Sequence, residues 1–183
     1  MSGDELETQD IAVLNLRTAS SLPGSPPFDI ADYLKTLDKW ARQVEHETLR
    51  YYHRYLENPE KFENSEAFFN MLMLVTVLQQ DFGVCYNPDR IREIDFRDSS
   101  DLFIHGMFGN GAGGTCVSMP VLYVAVGRRL GYPLFLVNAK QHIFCRWQSP
   151  SESLNIEATS RGLITRKDDF YMSWPKPIDP SEI

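Results

Sequence analysis

From Phe28 onward, apolar residues recur at steps of three and four: Ile30, Leu34, Leu37, Ala41 and Val44, with Tyr51, Tyr52 and Tyr55 extending the stripe. This spacing predicts a long amphipathic helix, with an interruption expected over His46 to Leu49 and an end at Asn58-Pro59. Asn64 or Ser65 then caps a second helix, Glu66 to Gln80, in which Phe68, Met71, Leu72, Leu74, Val75 and Leu78 are apolar nearly all round. A helix with that pattern belongs in a core. Gly83 closes it, and Asn87-Pro88 and Asp98-Ser99-Ser100 mark turns. Ahead of these, Asp10 to Ala19 reads as a short helix carrying Ile11, Leu14 and Leu16. Ser20 to Pro27 is too rich in Pro, Gly and Ser to be regular, and reads as a linker or strap.

The pattern changes after Asp101 to Phe108. Gly109-Asn110-Gly111-Ala112-Gly113-Gly114-Thr115-Cys116 runs into the apolar stretch Val117 to Leu130, which Gly131 stops and Tyr132-Pro133 keeps stopped. Thr115 is a suitable N-cap, so Cys116 is expected to open a buried helix, with Pro120 in its first turn where a missing N–H costs little. Three strand-like runs follow: Leu134 to Asn138, His142 to Trp147 and Leu154 to Thr159, and on the third, Asn155 and Glu157 fall on one face. Gly162 to Trp174 is expected to fold back as a turn and a short helix, and Pro175, Pro177 and Pro180 read as a linker. The order of elements predicts an α+β fold: N-terminal helices around a central helix, packed on a small antiparallel sheet.

Composition narrows the possibilities. A chain of 183 residues, 43% hydrophobic and 23% charged, is long enough for one domain with its own core. Its net charge of -7 disfavours nucleic acid as a partner, and no run approaches the ~20 apolar residues of a membrane span. The three cysteines, Cys85, Cys116 and Cys145, are odd in number and widely spaced, with no CxxC pair, which fits a reducing cytoplasm. The start is acidic and lacks the apolar core of a secretory signal.

Chemistry concentrates in the second half. A thiol at a helix start feels the first-turn N–H groups and the positive end of the helix dipole, both of which favour a thiolate. His142 heads a strand, and Asn155 or Glu157 on the next strand is placed to orient it. A nucleophile, a base and a group that fixes the base make up the arrangement for covalent acyl transfer. Cys85 and Cys145 read as structural, and the tyrosines at 51, 52 and 55 as core or groove wall. His46, His53 and His105 have no partners at metal-ligand spacing, so no metal or cofactor is expected. The glycine stretch lacks the Gly-Lys-Ser/Thr ending of a phosphate-binding loop.

Gly114-Thr115-Cys116 leading into a helix, Lys140-Gln141-His142-Ile143-Phe144 and Asn155-Ile156-Glu157-Ala158-Thr159 together resemble the transglutaminase-like superfamily of papain-type cysteine enzymes. More narrowly, they are similar to small bacterial members with a helical N-terminal region. The resemblance implies Cys116 as nucleophile, His142 as base and Glu157 as orienting group where the family more often has Asp, with Asn155 as fallback. It also implies an oxyanion site made by the Cys116 N–H and Asn110. The expected division is an arm and linker over 1–27, one domain over 28–174 (helical over 28–100, catalytic-like over 101–174) and a Pro-rich tail over 175–183. The expected activity is thiol-dependent acyl transfer on a peptide or protein amide. Hydrolysis by a cysteine peptidase or amidase is favoured over transglutaminase-type amine transfer, because water needs no second binding site. The alternative is a catalytically inactive member that uses the cleft to bind a peptide or protein.

Overall fold

The computed structural model describes residues 9–23, 25–109, 113–173 and 181. Asp10 accepts the Ala12 N–H at 2.8 Å and starts α1 (Ile11–Ser20), which buries Ala12, Leu16 and Ala19. Asp29 does the same for Ala31 at 2.8 Å and starts α2 (Ile30–Glu57), which buries Leu37, Trp40, Ala41, Val44 and Thr48. Each such cap contributes about 1 kcal/mol. No interruption occurs over His46 to Leu49. None of those residues is Gly or Pro, and Thr48 continues the buried stripe one turn after Val44. Asn58 ends the helix, and Pro59–Phe62 forms a 3₁₀ turn. Tyr52 and Tyr55 pack with Phe62 and Phe69 in an aromatic cluster.

Ser65 accepts the Phe68 N–H at 2.8 Å and caps α3 (Glu66–Thr76). The expected helix to Gln80 is not completed as an α-helix, because Val77–Asp81 widens into a π-turn in which the Phe82 N–H donates to the Val77 carbonyl at 3.3 Å. That turn carries Gln79. Its amide donates to the Tyr123 hydroxyl at 3.0 Å and the Ser160 carbonyl at 2.9 Å, and its oxygen accepts the Gly162 N–H at 2.8 Å. A π-turn inside a helix often marks a place where geometry is set by distant contacts.

A short helix, α4 (Ser99–Leu102), precedes α5 (Met119–Arg129), the centre of the core. Every residue of α5 from Met119 to Gly127 is buried, with α1, α2, α3 and the sheet around it. Gly127 permits the sheet to approach: a Cβ there would lie 2.2 Å from Leu134 Cδ1. The helix ends where Tyr132 N–H reaches back to the Gly127 carbonyl at 3.0 Å, over Gly131 at φ +76°.

The strands are β1 (Leu134–Ala139), β2 (His142–Gln148) and β3 (Ser153–Ile156), antiparallel in the order β1-β2-β3. Ala139 pairs with His142 across a two-residue turn, and Arg146 pairs with Asn155. β3 is shorter than expected. After Ile156 the chain pairs with its own return, Glu157 N–H donating to the Ile164 carbonyl at 2.9 Å. A short α6 (Asp168–Met172) then lies over β2 through Tyr171, whose ring stacks on Phe144 at 3.7 Å. The architecture is α+β: helices surround one central helix that packs on a small antiparallel sheet. The expected Pro-rich tail lies, apart from Ser181, outside the described residues.

Candidate active site

The approach to Cys116 is pinned by backbone bonds on both sides. Gly114 N–H donates to the Cys85 carbonyl at 2.9 Å, and Asn87 N–H donates to the Gly114 carbonyl at 2.8 Å. Gly113 sits at φ +105°, and a Cβ there would lie 2.8 Å from the Cys85 carbonyl oxygen. One on Gly114 would lie 2.4 Å from Met107 Sδ and Met119 Cγ. Glycine is therefore required by close approach as well as by dihedral.

Cys116 lies in a turn, and the regular helix opens three residues later than expected, at Met119. Hydroxyls occupy the intervening positions. Thr115 Oγ1 donates to the Asp101 carbonyl at 2.7 Å and accepts the Val117 N–H at 3.1 Å. Ser118 Oγ accepts the Thr115 N–H at 3.0 Å and donates to the same Asp101 carbonyl. Serine and threonine hydroxyls compete with the helical ladder in this way, so the chain turns without yet being a helix. Met119 N–H reaches the Thr115 carbonyl at 3.0 Å, so Cys116 sits within a single turn that leads into the helix. Among the described residues the Cys116 N–H has no acceptor. Asn110, expected as the second oxyanion donor, lies outside the described residues.

Of the three free cysteines, Cys116 is partly exposed. Cys145 is buried and donates to the Pro120 carbonyl at 3.3 Å, and burial pushes its thiol up. Cys85 is exposed, and its backbone carbonyl is the group that pins Gly114.

His142 is 4% exposed and lines the cleft beside Cys116, whose side chain acts on its ring. Its Nε2 lies 2.8 Å from Glu157 Oε2, and Glu157 is 5% exposed. With Nε2 directed at the carboxylate, Nδ1 is the nitrogen that remains for the sulfur. Glu157 is itself held: Oε1 accepts the Thr159 hydroxyl at 2.6 Å and its N–H at 3.3 Å, and the Tyr171 hydroxyl donates to Oε2 at 3.4 Å. Asn155, the fallback orienting group, is engaged elsewhere. It accepts Arg146 Nε at 2.7 Å and donates to the Arg166 carbonyl at 3.0 Å and to Asp168 at 2.8 Å. Asn155 thereby ties down α6, whose Tyr171 covers the His142 ring at a centroid distance of 6.0 Å and 13°.

The electrostatics follow from this packing. Burial acts most strongly on His142 and alone would lower its pKa. The hydrogen bonds and charges of Cys116 and Glu157 outweigh burial and push it up to about 9. Burial alone would raise Glu157, but the hydrogen bond and charge of His142, with the bonds from Thr159, hold it below its usual value. Tyr86 is pushed up to about 12 by burial and by the neighbouring Cys116, Asp101 and Glu157. The arrangement favours a charged imidazole beside the Glu157 carboxylate.

Thr159, Tyr171 and Gln79 carry functions that sequence reading leaves unassigned. Thr159 has a usable signal in its spacing, two residues beyond the carboxylate on a strand-like run. Tyr171 and Gln79 have none, because each acts across the fold from a segment that reads as ordinary helix. A cleft of about 560 Å³ opens beside the trio, lined by Tyr86, Ile91, Ile94 and Phe96 on one side of Cys116 and His142. Among the described residues no group of three or more His, Cys, Asp or Glu is placed to hold a metal ion.

Searches of curated proteins and of solved structures found no match to this chain. A family model does match, over residues 31–179, and spans both the helical half and the segment that carries Cys116, His142 and Glu157. With most of its length covered, the chain belongs to the transglutaminase-like superfamily.

Proposed function

We propose that the protein is a thiol-dependent acyl-transfer enzyme acting on an amide of a peptide or protein, with Cys116 as nucleophile, His142 as base and Glu157 as orienting group. The observation that carries this reading is the buried His142–Glu157 hydrogen bond at 2.8 Å, with Cys116 beside His142 at the edge of an open cleft. His142 takes the Cys116 proton, and the sulfur adds to the carbonyl carbon as the carbonyl electron pair moves to oxygen. The Cys116 N–H, without an acceptor among the described residues, is the candidate first donor to that developing charge, with Asn110 as the candidate second. Collapse expels the amine, which takes the proton from His142 and leaves a thioester. Water then attacks as His142 accepts its proton, and the acid departs while the proton returns to sulfur.

Every proton in this cycle is held by Cys116 or His142, so no cofactor enters it. An amine in place of water would give an amide product, the transglutaminase outcome. Hydrolysis is favoured, since water requires no second site. Three free cysteines support a reducing, cytoplasmic setting, and among the described residues no helix is long and apolar enough to cross a membrane.

Alkylation by iodoacetamide at pH 6, followed by peptide mass mapping, tests the reading. Cys116 should react much faster than Cys85 despite its lower exposure, and His142→Ala should slow it at least tenfold. Equal, slow reaction of Cys116 and Cys85 would instead identify an inactive member that uses the cleft for binding.

A further inference from the structure

The wall of the cleft facing Cys116 is made by the segment from Arg90 to Phe96, in which Ile91, Ile94 and Phe96 are interleaved with Arg90, Arg92 and Glu93, and the surface of the cleft is mainly apolar. Ile91 and Ile94 are half-buried in it, and Phe96 stands at the mouth with 72% of its surface exposed. Val117 and Ile143 flank the thiol and the imidazole on the other side. Several charges nearby are already matched. Arg90 is ion-paired with Asp101 and lies 3.9 Å from Asp98. Asp95 is held by Arg97 at 3.1 Å and Glu157 by His142, while Arg92 and Glu93, both exposed and of opposite sign, stand at the same wall and give it no net charge. A charged side chain seated on Ile91, Ile94 and Phe96 would lose water against apolar surface. An apolar one would cover Phe96, a ring otherwise left in water beside a nucleophile.

We propose that the acyl donor carries an apolar side chain next to the reacting carbonyl, seated on Ile91, Ile94 and Phe96, with Phe96 as a residue that determines specificity. This rests on the acyl-transfer reading, because the side chain is placed by attachment of its carbonyl to Cys116. The occupant is thus a peptide with a leucine- or phenylalanine-like residue at that point, whose approach buries Phe96 and orders the reacting amide over the thiol.

The test uses the full chain and three acetyl-aminoacyl chloromethyl ketones, leucyl, aspartyl and lysyl. Each forms a carbon–sulfur bond with Cys116 as the thiolate displaces chloride, and intact mass follows the rate. Rates are divided by that of iodoacetamide, which carries no side chain. The leucyl probe should exceed the other two by about tenfold or more, the range that one apolar contact can discriminate. Phe96→Asp, a change at an exposed position, should shrink that normalised ratio to within about threefold. Equal normalised rates for all three probes, or a ratio that Phe96→Asp does not move, would overturn the inference and leave the acyl-transfer reading standing. If iodoacetamide fails to single out Cys116, both fall.

Discussion

Glu157 places one carboxylate oxygen against the Thr159 hydroxyl at 2.6 Å and the other against His142 Nε2 at 2.8 Å. Both oxygens act as acceptors, and Glu157→Gln supplies only one. If that oxygen stays with the two donors of Thr159, the amide NH₂ faces Nε2 and forces it to accept. The ring proton then sits on Nδ1, towards Cys116, where a base must have a lone pair. Glu157→Gln should lower the rate of Cys116 acylation by about 10²- to 10⁴-fold. Single-turnover kinetics with a reactive ester would read it, and a loss under fivefold would remove Glu157 from the orienting role.

The pH dependence of stability has a definite sign. His142 is pushed up to about 9 from 6.5, so its contribution is complete below about pH 6.5 and is lost as pH rises through about 9. Glu157 is held below 4.5, so its contribution is present above that value and is lost as pH falls through its lowered pKa. The pair therefore stabilises most between about pH 4.5 and 6.5, and raising the pH to 10 should remove up to about 3 kcal/mol. Urea melts across that range, with ¹³C-labelled histidine to follow the ring, would check it. Glu157→Gln should move the His142 midpoint down. A wild-type midpoint near 6.5 would show that the pair does not hold a proton.

Gly113 and Gly109 make a matched comparison. Both have positive φ, +105° and +66°, but an added Cβ meets the Cys85 carbonyl oxygen at 2.8 Å at Gly113 and nothing within 4 Å at Gly109. Gly113→Ala should cost about 2 to 4 kcal/mol, and Gly109→Ala about 1. Chemical denaturation measures both, and equal costs would show that the clash relaxes without strain.

Gln141 occupies the left-handed region at φ +61° in the turn between β1 and β2. A side chain there costs about 1 to 2 kcal/mol. Gln141→Gly should accordingly be more stable than Gln141→Ala by about 1 kcal/mol, the reverse of their order at an exposed helix position. Equilibrium unfolding of the two variants decides it.

The parts of this protein that were legible in the sequence are those set by local pattern. The three- and four-residue stripe from Ile30 gives α2, the strong stop at Gly131 gives the end of α5, and short β-rich runs give the three strands. What escaped was decided by contacts distant in sequence. Nothing in Val77-Leu78-Gln79 announces a π-turn, because the groups that bind Gln79 lie at Tyr123, Ser160 and Gly162. The delayed helix start had the opposite cause: Thr115 and Ser118 are visible as hydroxyls, but the Asp101 carbonyl they share is not. In the same way, Asn155 and Glu157 look equivalent on one face of a strand. Arg146 and Asp168 claim the first, and His142 meets the second.

His142 is the first residue of β2 and pairs with Ala139 across Lys140 and Gln141. Strand side chains alternate, so one residue inserted into that turn, if the ladder closed up after it, would carry the imidazole to the opposite side of the sheet from Glu157. The β2–β3 connection is closed by hydrogen bonds between Ser149 and Glu152, and Glu152 is also bonded to Ser65, the cap of α3. Both hairpin ends of one small sheet thus set chain lengths: the first decides which face carries the imidazole, and the second joins the strand that leads to its carboxylate partner to the start of α3.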